Sequence, residues 1–305
     1  MSATRRHLVR SLSAVALLVV GSRAAAQPNR PLRVVASFSI LADLLSNVGG
    51  NDIEVSTLVG PNADAHVFEP SPADAKRLVD ADLVVVNGLG FEGWLDRLVR
   101  ASGYRGPIVT ASTGVQPRQM GQVPDPHAWQ AIDHVRRYVL NLRDALIRAS
   151  PGKASAMQRR AAQYLDKLNV LDVDVRKTFG SIPKEHRRVI TSHDAFGYFG
   201  AAYGITFLAP QGRSTDSEAS ASAVARLVEQ IRSDSIRAVF VENITDPRLV
   251  ERIAREGSVT VGGRLYSDAL SPPGTEADTY LKLFAHNAAA IAAALRVQHV
   301  STLPH

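Results

Sequence analysis

The sequence contains no cysteine. Its absence excludes disulfide bonds, cysteine-ligated zinc sites, iron–sulfur clusters and a thiol nucleophile. Of the 305 residues, 45% are hydrophobic and 21% are charged, which is the composition of a globular protein rather than a disordered or fibrous one. A globular chain of this length predicts about two domains.

The sequence also lacks an apolar run of the roughly 20 residues that a membrane-spanning helix needs. The apolar stretch near its start, Leu12–Val20, is shorter, follows a basic segment and precedes the small residues Ala24–Ala26. This order is typical of a secretory signal with an A-x-A-like cleavage site, so we predict that residues 1–26 form a cleaved signal peptide. A membrane anchor is the alternative interpretation of the same residues.

A strong excess of positive charge is likewise absent once this segment is removed. The formal net charge of +6 falls to +2, because residues 1–26 contain four arginines and no acidic residue. A basic nucleic-acid-binding surface is therefore not expected. Without cysteine at the cleavage site no side chain is available for a lipid anchor, so we expect a protein free in the periplasm. Arg5 and Arg6 resemble a twin-arginine export motif, with the general secretory route as the alternative.

Short apolar, β-branched runs recur along the remaining sequence and end near Gly, Pro, Asn or Ser, as strands do. Amphipathic stretches separate several of these runs, which favours parallel sheets covered by helices. We predict eight strands, four in each half: Arg33–Ser37, Ile53–Val59, Leu83–Asn87, Ile108–Ala111, Arg188–Ser192, Ile205–Ala209, Ala238–Glu242 and Val259–Leu265.

A long helical region with few helix-breaking residues connects the two halves. His127–Ala149 predicts one helix, and Ser150-Pro151 is typical of the start of another, which continues to Gly180. We therefore predict an α/β fold of two similar lobes, each a parallel sheet with helices, joined by one long bridging helix. The predicted organisation is a signal peptide (1–26), an N-terminal α/β lobe (27–150), the bridging helix (151–181) and a C-terminal α/β lobe (182–305). A bridging helix predicts limited hinge closure.

Four side chains with metal-binding chemistry follow predicted strands. His66, His127 and His193 lie in loops after strands, and Asp268 follows the last strand. Because ligands bind beyond the carboxyl ends of strands in open parallel sheets, these residues can converge between the lobes. Three imidazoles and a carboxylate suit Zn²⁺ and also accept Mn²⁺. Their separations of 61, 66 and 75 residues form no motif, so scattered surface and core histidines remain the alternative.

Three further polar residues near these candidates have open roles. Glu242, at the end of a predicted strand, is either a buried carboxylate bonded to the backbone or a group that orients a ligating histidine through its second ring nitrogen. His134 is expected on the solvated face of a helix, with contact to a metal ligand as the alternative. Asp125 is expected to be a solvated loop acid, with electrostatic support of the neighbouring ligand as the alternative.

The sequence around the four candidates resembles the metal-binding solute-binding proteins of ABC importers for zinc and manganese, over nearly all of the chain after residue 26. The matching strings are Val35–Asp43, Asp64–Asp74, Asp125–Trp129, Thr191–Tyr198, Val239–Asn243 and Leu265–Leu270. The resemblance implies two α/β lobes bridged by a long helix. It also implies that His66, His127, His193 and Asp268 bind a metal ion at the interface between the lobes.

The function implied by this resemblance is high-affinity capture of Zn²⁺, or of Mn²⁺, as cargo in the periplasm. A monomer without enzymatic activity would deliver the ion to an ABC permease and its ATPase in the inner membrane. Family members with Glu as third ligand tend to bind manganese, so His193 favours zinc. Two departures from the family pattern stand out. No histidine lies between Phe68 and Asp125, where many zinc members carry a His-rich loop, and Gln130-Ala131-Ile132 replaces the usual Leu-Asp-Pro.

Three other functions remain as alternatives. A zinc hydrolase would use the three histidines, a metal-bound water and Glu242 as base, but no H-E-x-x-H motif is present. A binding protein of the same architecture for a siderophore, a corrinoid or an organic anion would need a larger pocket lined by arginines or aromatic residues. A surface adhesin is disfavoured by the missing site for a lipid anchor.

Overall fold

The computed structural model of the protein describes residues 30–296 except Ser235 and Arg237. The predicted signal peptide and the C-terminal residues that include His299 and His305 lie outside this range. Among the described residues, no helix combines the length and the apolar character needed to cross a membrane.

The first sheet has four parallel strands that follow one another in the first half of the chain. They are β1 (Leu32–Phe38), β2 (Ile53–Val59), β3 (Leu83–Val86) and β4 (Ile108–Thr110). Their order in the sheet is β2-β1-β3-β4. All of β3 is buried, as expected of a parallel strand covered on both faces.

A two-stranded antiparallel hairpin follows the first sheet in the chain and precedes the second. It consists of β5 (Gln119–Met120) and β6 (Val123–Pro124), and the sequence analysis did not predict it. The second sheet is again parallel. Its strands are β7 (Arg188–Ile190), β8 (Thr206–Leu208), β9 (Ala238–Glu242) and β10 (Thr260–Leu265), in the order β10-β9-β7-β8. All eight predicted strands are present, with bounds within two residues of the prediction.

Nine α-helices lie within the described residues. They are α1 (Ser39–Gly49), α2 (Pro72–Asp80), α3 (Leu95–Ser102), α4 (Ile132–Ala149), α5 (Ala154–Gly180), α6 (Gly197–Tyr203), α7 (Ala221–Ser233), α8 (Arg248–Gly257) and α9 (Tyr280–Arg296). The sequence analysis did not predict α3 or α6. Both are short, and each ends at a left-handed glycine, Gly103 (φ 71°) and Gly204 (φ 72°).

The longest helix, α5, has 27 residues and extends roughly 40 Å. It packs against α1 and α4 of the first half and against α6 and α9 of the second. Its buried stripe, which recurs every three or four residues, includes Met157, Ala161, Tyr164, Leu168, Val175 and Phe179. The predicted fold class of two α/β lobes joined by a long helix is therefore confirmed, while the domain boundaries stay predictions.

The buried apolar side chains form two clusters. The larger cluster runs without interruption through the first sheet, α4, α5, α6 and α9, so the lobes share one core. The smaller cluster lies between the second sheet and helices α7 and α8, and includes Ile190, Leu227, Val239 and Ile253. Because the core is shared, the two lobes are not independent packing units.

One predicted helix begins later than expected. The prediction started a helix at His127, but α4 starts at Ile132, after a 3-10 turn at Ala128–Gln130. The reason is the extended backbone of Ala131 (φ −127°, ψ 127°), which separates the turn from the helix. As a result, His127 lies in a loop ahead of the helix.

Candidate metal centre

The loops that follow β2, the β5–β6 hairpin, β7 and β10 meet between the two sheets. They bring together the four side chains singled out from the sequence, His66, His127, His193 and Asp268, each offering one ligand atom within 4.8 Å of the others. The first two come from the first lobe and the last two from the second. The site thus lies beyond the carboxyl ends of parallel strands, as expected for this architecture.

The separations between the ligand atoms fit a single small ion. Asp268 Oδ2 lies 3.1 Å from His66 Nε2, 3.2 Å from His193 Nε2 and 3.8 Å from His127 Nε2. The Nε2 atoms of His66 and His127 are 3.4 Å apart. A tetrahedral ion with bonds of about 2.0–2.1 Å places its ligand atoms roughly 3.3–3.4 Å from one another. Three of these four separations lie within 0.3 Å of the tetrahedral value, and all four ligand atoms lie within 4.8 Å of one another.

The site is buried and carries negative charge. The side chains of His127, His193 and Asp268 are fully buried, and that of His66 is 5% exposed. Although burial opposes ionisation, the neighbouring imidazoles hold the pKa of Asp268 well below its usual range. Its Oδ1 has no hydrogen-bond partner among the described residues, and the polar atoms near its Oδ2 are the nitrogens of the three imidazoles. Such groups are costly to bury alone, and a bound cation would compensate them.

Glu242, the last residue of β9, holds His193. Its Oε1 accepts the backbone N–H of His193 at 2.9 Å, and its Oε2 lies 2.6 Å from the ring Nδ1. Glu242 is thus a buried carboxylate bonded to the backbone, as one of its two predicted roles required, and its second oxygen contacts the imidazole of His193. Burial lowers the pKa of His193, but the carboxylates of Glu242 and Asp268 outweigh this and raise it well above its usual value. The contact at Nδ1 leaves Nε2 directed at the site.

Asp125 plays the corresponding part for His127, and the expectation of a solvated loop acid was wrong. Its Oδ1 accepts the backbone N–H of His127 at 3.0 Å and lies 2.8 Å from the ring Nδ1. Its Oδ2 accepts a hydrogen bond from Arg118 at 2.5 Å. Asp64 likewise accepts the backbone N–H of His66, at 2.9 Å. The repeated Asp-x-His spacing, in which an aspartate caps an N–H two residues on, is the sequence signal for these partners.

Aromatic side chains enclose the first-lobe half of the site. The ring of Phe91 meets the ring of His66 edge-on, with centroids 4.9 Å apart, and Trp129 meets His127 at 5.4 Å. Trp94 fixes the loop of His66 by donating its indole N–H to the carbonyl of Ala65 at 2.8 Å. Phe91 and Trp94 had not been identified from the sequence, because they follow β3 rather than a ligand-bearing strand.

The loop that carries Asp268 is fastened to the first lobe. The carbonyl of Ser267 accepts hydrogen bonds from the side chains of Trp129 (2.9 Å) and Gln130 (2.8 Å). The backbone of Leu270 donates to Ser39 Oγ (3.0 Å) and accepts from the N–H of Asn62 (2.9 Å). Asp268 is therefore held by both halves of the chain.

His134 does not lie on a solvated helix face, and that expectation was wrong. It is half-buried on α4, its ring meets Tyr198 edge-on at 5.0 Å, and burial lowers its pKa. It is also outside the group of four converging ligand atoms.

Comparison with known proteins places the chain in a family. Residues 34–294 match the family described as "ZnuA: Zinc-uptake complex component A periplasmic". The chain belongs to this family. Members of the ZnuA family are metal-binding substrate-binding proteins of ABC importers, so the chain is a binding protein of a metal transporter and not an enzyme.

Individual relatives of this ZnuA-family chain are named for two metals. The manganese-binding lipoprotein MntA of Bacillus subtilis is 34% identical over 278 residues, which are 88% of this chain and 91% of MntA. The zinc-binding protein TroA of Treponema pallidum is also 34% identical, over 286 residues, 90% of this chain and 92% of TroA. The identity of the cargo is thus not given by the family alone.

Two solved structures share the fold. The periplasmic zinc-binding protein TroA from Treponema pallidum superposes with a TM-score of 0.84 at 32% identity, covering 87% of this chain and 99% of that one. A manganese-bound periplasmic metal-binding protein from Candidatus Liberibacter asiaticus gives a TM-score of 0.80 at 28% identity, with the same coverage.

Proposed function

We propose that the protein binds Zn²⁺ as cargo in the periplasm, through His66, His127, His193 and Asp268, and delivers it to an ABC permease and its ATPase. The observation that carries this proposal is the buried set of four ligand atoms that lie within 4.8 Å of one another. Four protein ligands leave zinc no open position for a reactive water, which suits transport. Because the ligand atoms lie within 4.8 Å of one another, the space suits a bare ion rather than a siderophore or corrinoid.

The choice of zinc over manganese rests on the ligand chemistry. Three imidazole nitrogens and one carboxylate are typical zinc ligands, whereas Mn²⁺ favours sites richer in oxygen. Relatives named for manganese keep Mn²⁺ as the alternative cargo. Since zinc generally binds such sites more tightly in vitro, affinity alone does not identify the cargo. Metal analysis of protein isolated from the periplasm of cells grown with both metals tests the choice directly.

The main test is a zinc titration against a competing chelator. We expect His66→Ala, His127→Ala and His193→Ala each to weaken Zn²⁺ binding by roughly a hundredfold or more, since even partners of metal ligands contribute 10- to 100-fold. His286→Ala is the matched control, because this half-buried histidine contacts the carbonyl of Arg264 away from the site. Zinc affinity that is unchanged in all three ligand variants would refute the proposed function.

We also propose that the mature protein carries no lipid anchor. The support is the absence of cysteine, the residue that carries such an anchor, although relatives are named lipoproteins. Cell fractionation tests this: the protein should be released with the soluble periplasmic fraction. Recovery with the membranes after a high-salt wash would contradict it.

A further inference from the structure

The hydroxyl of Tyr198, on α6 of the C-terminal lobe, lies between two backbone groups of the first lobe. It accepts the N–H of Arg118 at 3.0 Å and donates to the carbonyl of Asp125 at 2.8 Å. Arg118 and Asp125 flank the β5–β6 hairpin and are joined at its base by a backbone hydrogen bond of 2.8 Å. One side-chain oxygen therefore connects α6 to the base of a hairpin in the opposite lobe.

The same hairpin base holds a proposed metal ligand. The guanidinium of Arg118 bonds one oxygen of the Asp125 carboxylate, and the other oxygen contacts the backbone N–H and Nδ1 of His127. Tyr198 thus contacts the backbone of the residue whose side chain orients His127. None of the four ligand atoms belongs to Tyr198 or Arg118. The two residues are connected to His127 through their hydrogen bonds to Asp125.

The start of α6 is shaped to receive Arg118. A Cβ atom at Gly197 would lie 1.4 Å from Arg118 Nη1, so only glycine leaves room for the guanidinium. The guanidinium carbon also lies 5.7 Å from the centroid of the Tyr198 ring. Because α6 begins four residues after His193, the segment that carries one proposed ligand also supports the partner of another.

We propose that Tyr198 and Arg118 are positioning residues that hold His127 in place across the lobe interface and thereby slow the release of the bound ion. This inference rests on the proposed metal-binding function. The bonds of Tyr198 exist only while α6 and the hairpin are in contact. Losing them favours any movement that separates His127 from His193, and such a movement accelerates dissociation.

The test is the Tyr198→Phe variant, which removes a single oxygen. We expect the dissociation rate of Zn²⁺, measured by stopped-flow mixing with excess chelator, to rise roughly five- to tenfold, as one buried hydrogen bond implies. Tyr203→Phe is the control: it lies on the same helix, is equally buried, and loses a hydroxyl that donates to Asp172 Oδ1 at 2.8 Å. The control should release zinc at the wild-type rate.

A second variant separates positioning from a general loss of stability. Gly197→Ala displaces the flexible end of Arg118 while leaving the Tyr198 hydroxyl in place. We expect faster release here too, and faster release in Arg118→Gln than in Arg118→Lys, which keeps the charge. Thermal midpoints of the metal-free proteins should fall equally in Tyr198→Phe and Tyr203→Phe.

Three outcomes are distinct. Faster release in the Tyr198, Arg118 and Gly197 variants, with Tyr203→Phe at the wild-type rate, supports the inference. Release at the wild-type rate in both Tyr198→Phe and Gly197→Ala overturns it, while leaving the proposed function intact. Wild-type protein that binds no Zn²⁺ overturns the proposed function itself.

Discussion

The hydroxyl of Thr215 donates a hydrogen bond to Asp64 Oδ2 across the cleft between the lobes. The other oxygen of Asp64 accepts the backbone N–H of His66. One carboxylate thus ties the loop of the first histidine to the C-terminal lobe. His66 is also the one proposed ligand whose side chain keeps some exposure, so this hydrogen bond lies on the solvent side of the site.

Removing this bond is expected to speed metal exchange in both directions. Thr215→Val keeps the shape of the side chain and deletes its hydroxyl, so the barrier to opening falls for binding and release alike. We expect both rate constants to rise roughly three- to tenfold, with the equilibrium affinity little changed. Stopped-flow mixing with zinc and with chelator measures them. Thr113→Val, which removes an exposed hydroxyl bonded to the carbonyl of Thr110, is the control; equal rates in wild type and Thr215→Val would rule out this role.

The contact between Glu242 and His193 is expected to contribute to affinity. Glu242→Gln keeps the size of the side chain but removes the charge that faces Nδ1 of the imidazole. We expect Zn²⁺ binding to weaken about 10- to 100-fold, the usual effect of losing a partner of a metal-ligating histidine. A chelator-competition titration measures the change. Glu276→Gln, at an exposed glutamate that accepts from Tyr266, should bind as wild type does, and an unaltered affinity in Glu242→Gln would argue against this role.

Bound zinc should stabilise the fold, because the ion binds the native site and not the dispersed side chains of the unfolded chain. With free Zn²⁺ at about a thousand times the dissociation constant, the stabilisation is about 4 kcal/mol, or a rise in the thermal midpoint of about 10 °C. Differential scanning calorimetry before and after chelation measures it. His127→Ala should lose the rise; a rise retained in that variant would locate the ion elsewhere.

Asp43 is expected to make stability depend on pH. It lies on α1 and accepts the backbone N–H of Tyr280 at 2.9 Å, while burial raises its pKa to about 6. The folded protein holds the proton of Asp43 more tightly than the unfolded chain does. The contribution of this proton to the free energy of unfolding is therefore full below about pH 4 and is lost as pH rises through 6. The loss reaches up to about 3 kcal/mol.

The comparison of wild type with Asp43→Asn isolates this effect. Denaturant unfolding of the metal-free proteins should show the variant gaining stability relative to wild type between pH 4 and pH 7. Asp80→Asn, at an exposed position on α2, should follow the wild-type profile. A constant difference between Asp43→Asn and wild type over this range would exclude a raised pKa for Asp43.

The strands were predictable because runs such as Leu83–Val86 are β-branched and apolar. Parallel strands place their following loops at one edge of the sheet, so His66, His127, His193 and Asp268 could converge, but scattered histidines fitted the sequence as well. The family resemblance implied the convergence, which the structure confirms. The roles of these four residues as ligands remain for the titrations to establish.

The partners of these residues were harder to predict, because they depend on distant packing. Tyr198 and Arg118 are 80 positions apart in the sequence. Gly197 is required between them because the guanidinium of Arg118 occupies the space of a Cβ atom, and the sequence does not show that contact. Asp125 was interpreted as a loop acid, because the Asp-x-His spacing indicates its hydrogen bond to the backbone of His127 but not the burial of its carboxylate. The start of α4 was predicted too early for a related reason. The spacing of apolar residues that predicts a helix gives no sign that the single residue Ala131 is extended.

The loop that carries Asp268 is fastened to the first lobe at Ser267 and Leu270, and to Asn243 of the C-terminal lobe at Ser267 and Ala269. A rigid-body separation of the lobes would therefore break hydrogen bonds on one side of Asp268 or the other. Release of the ion would then require a rearrangement of this loop in addition to the separation of His193 from His66 and His127.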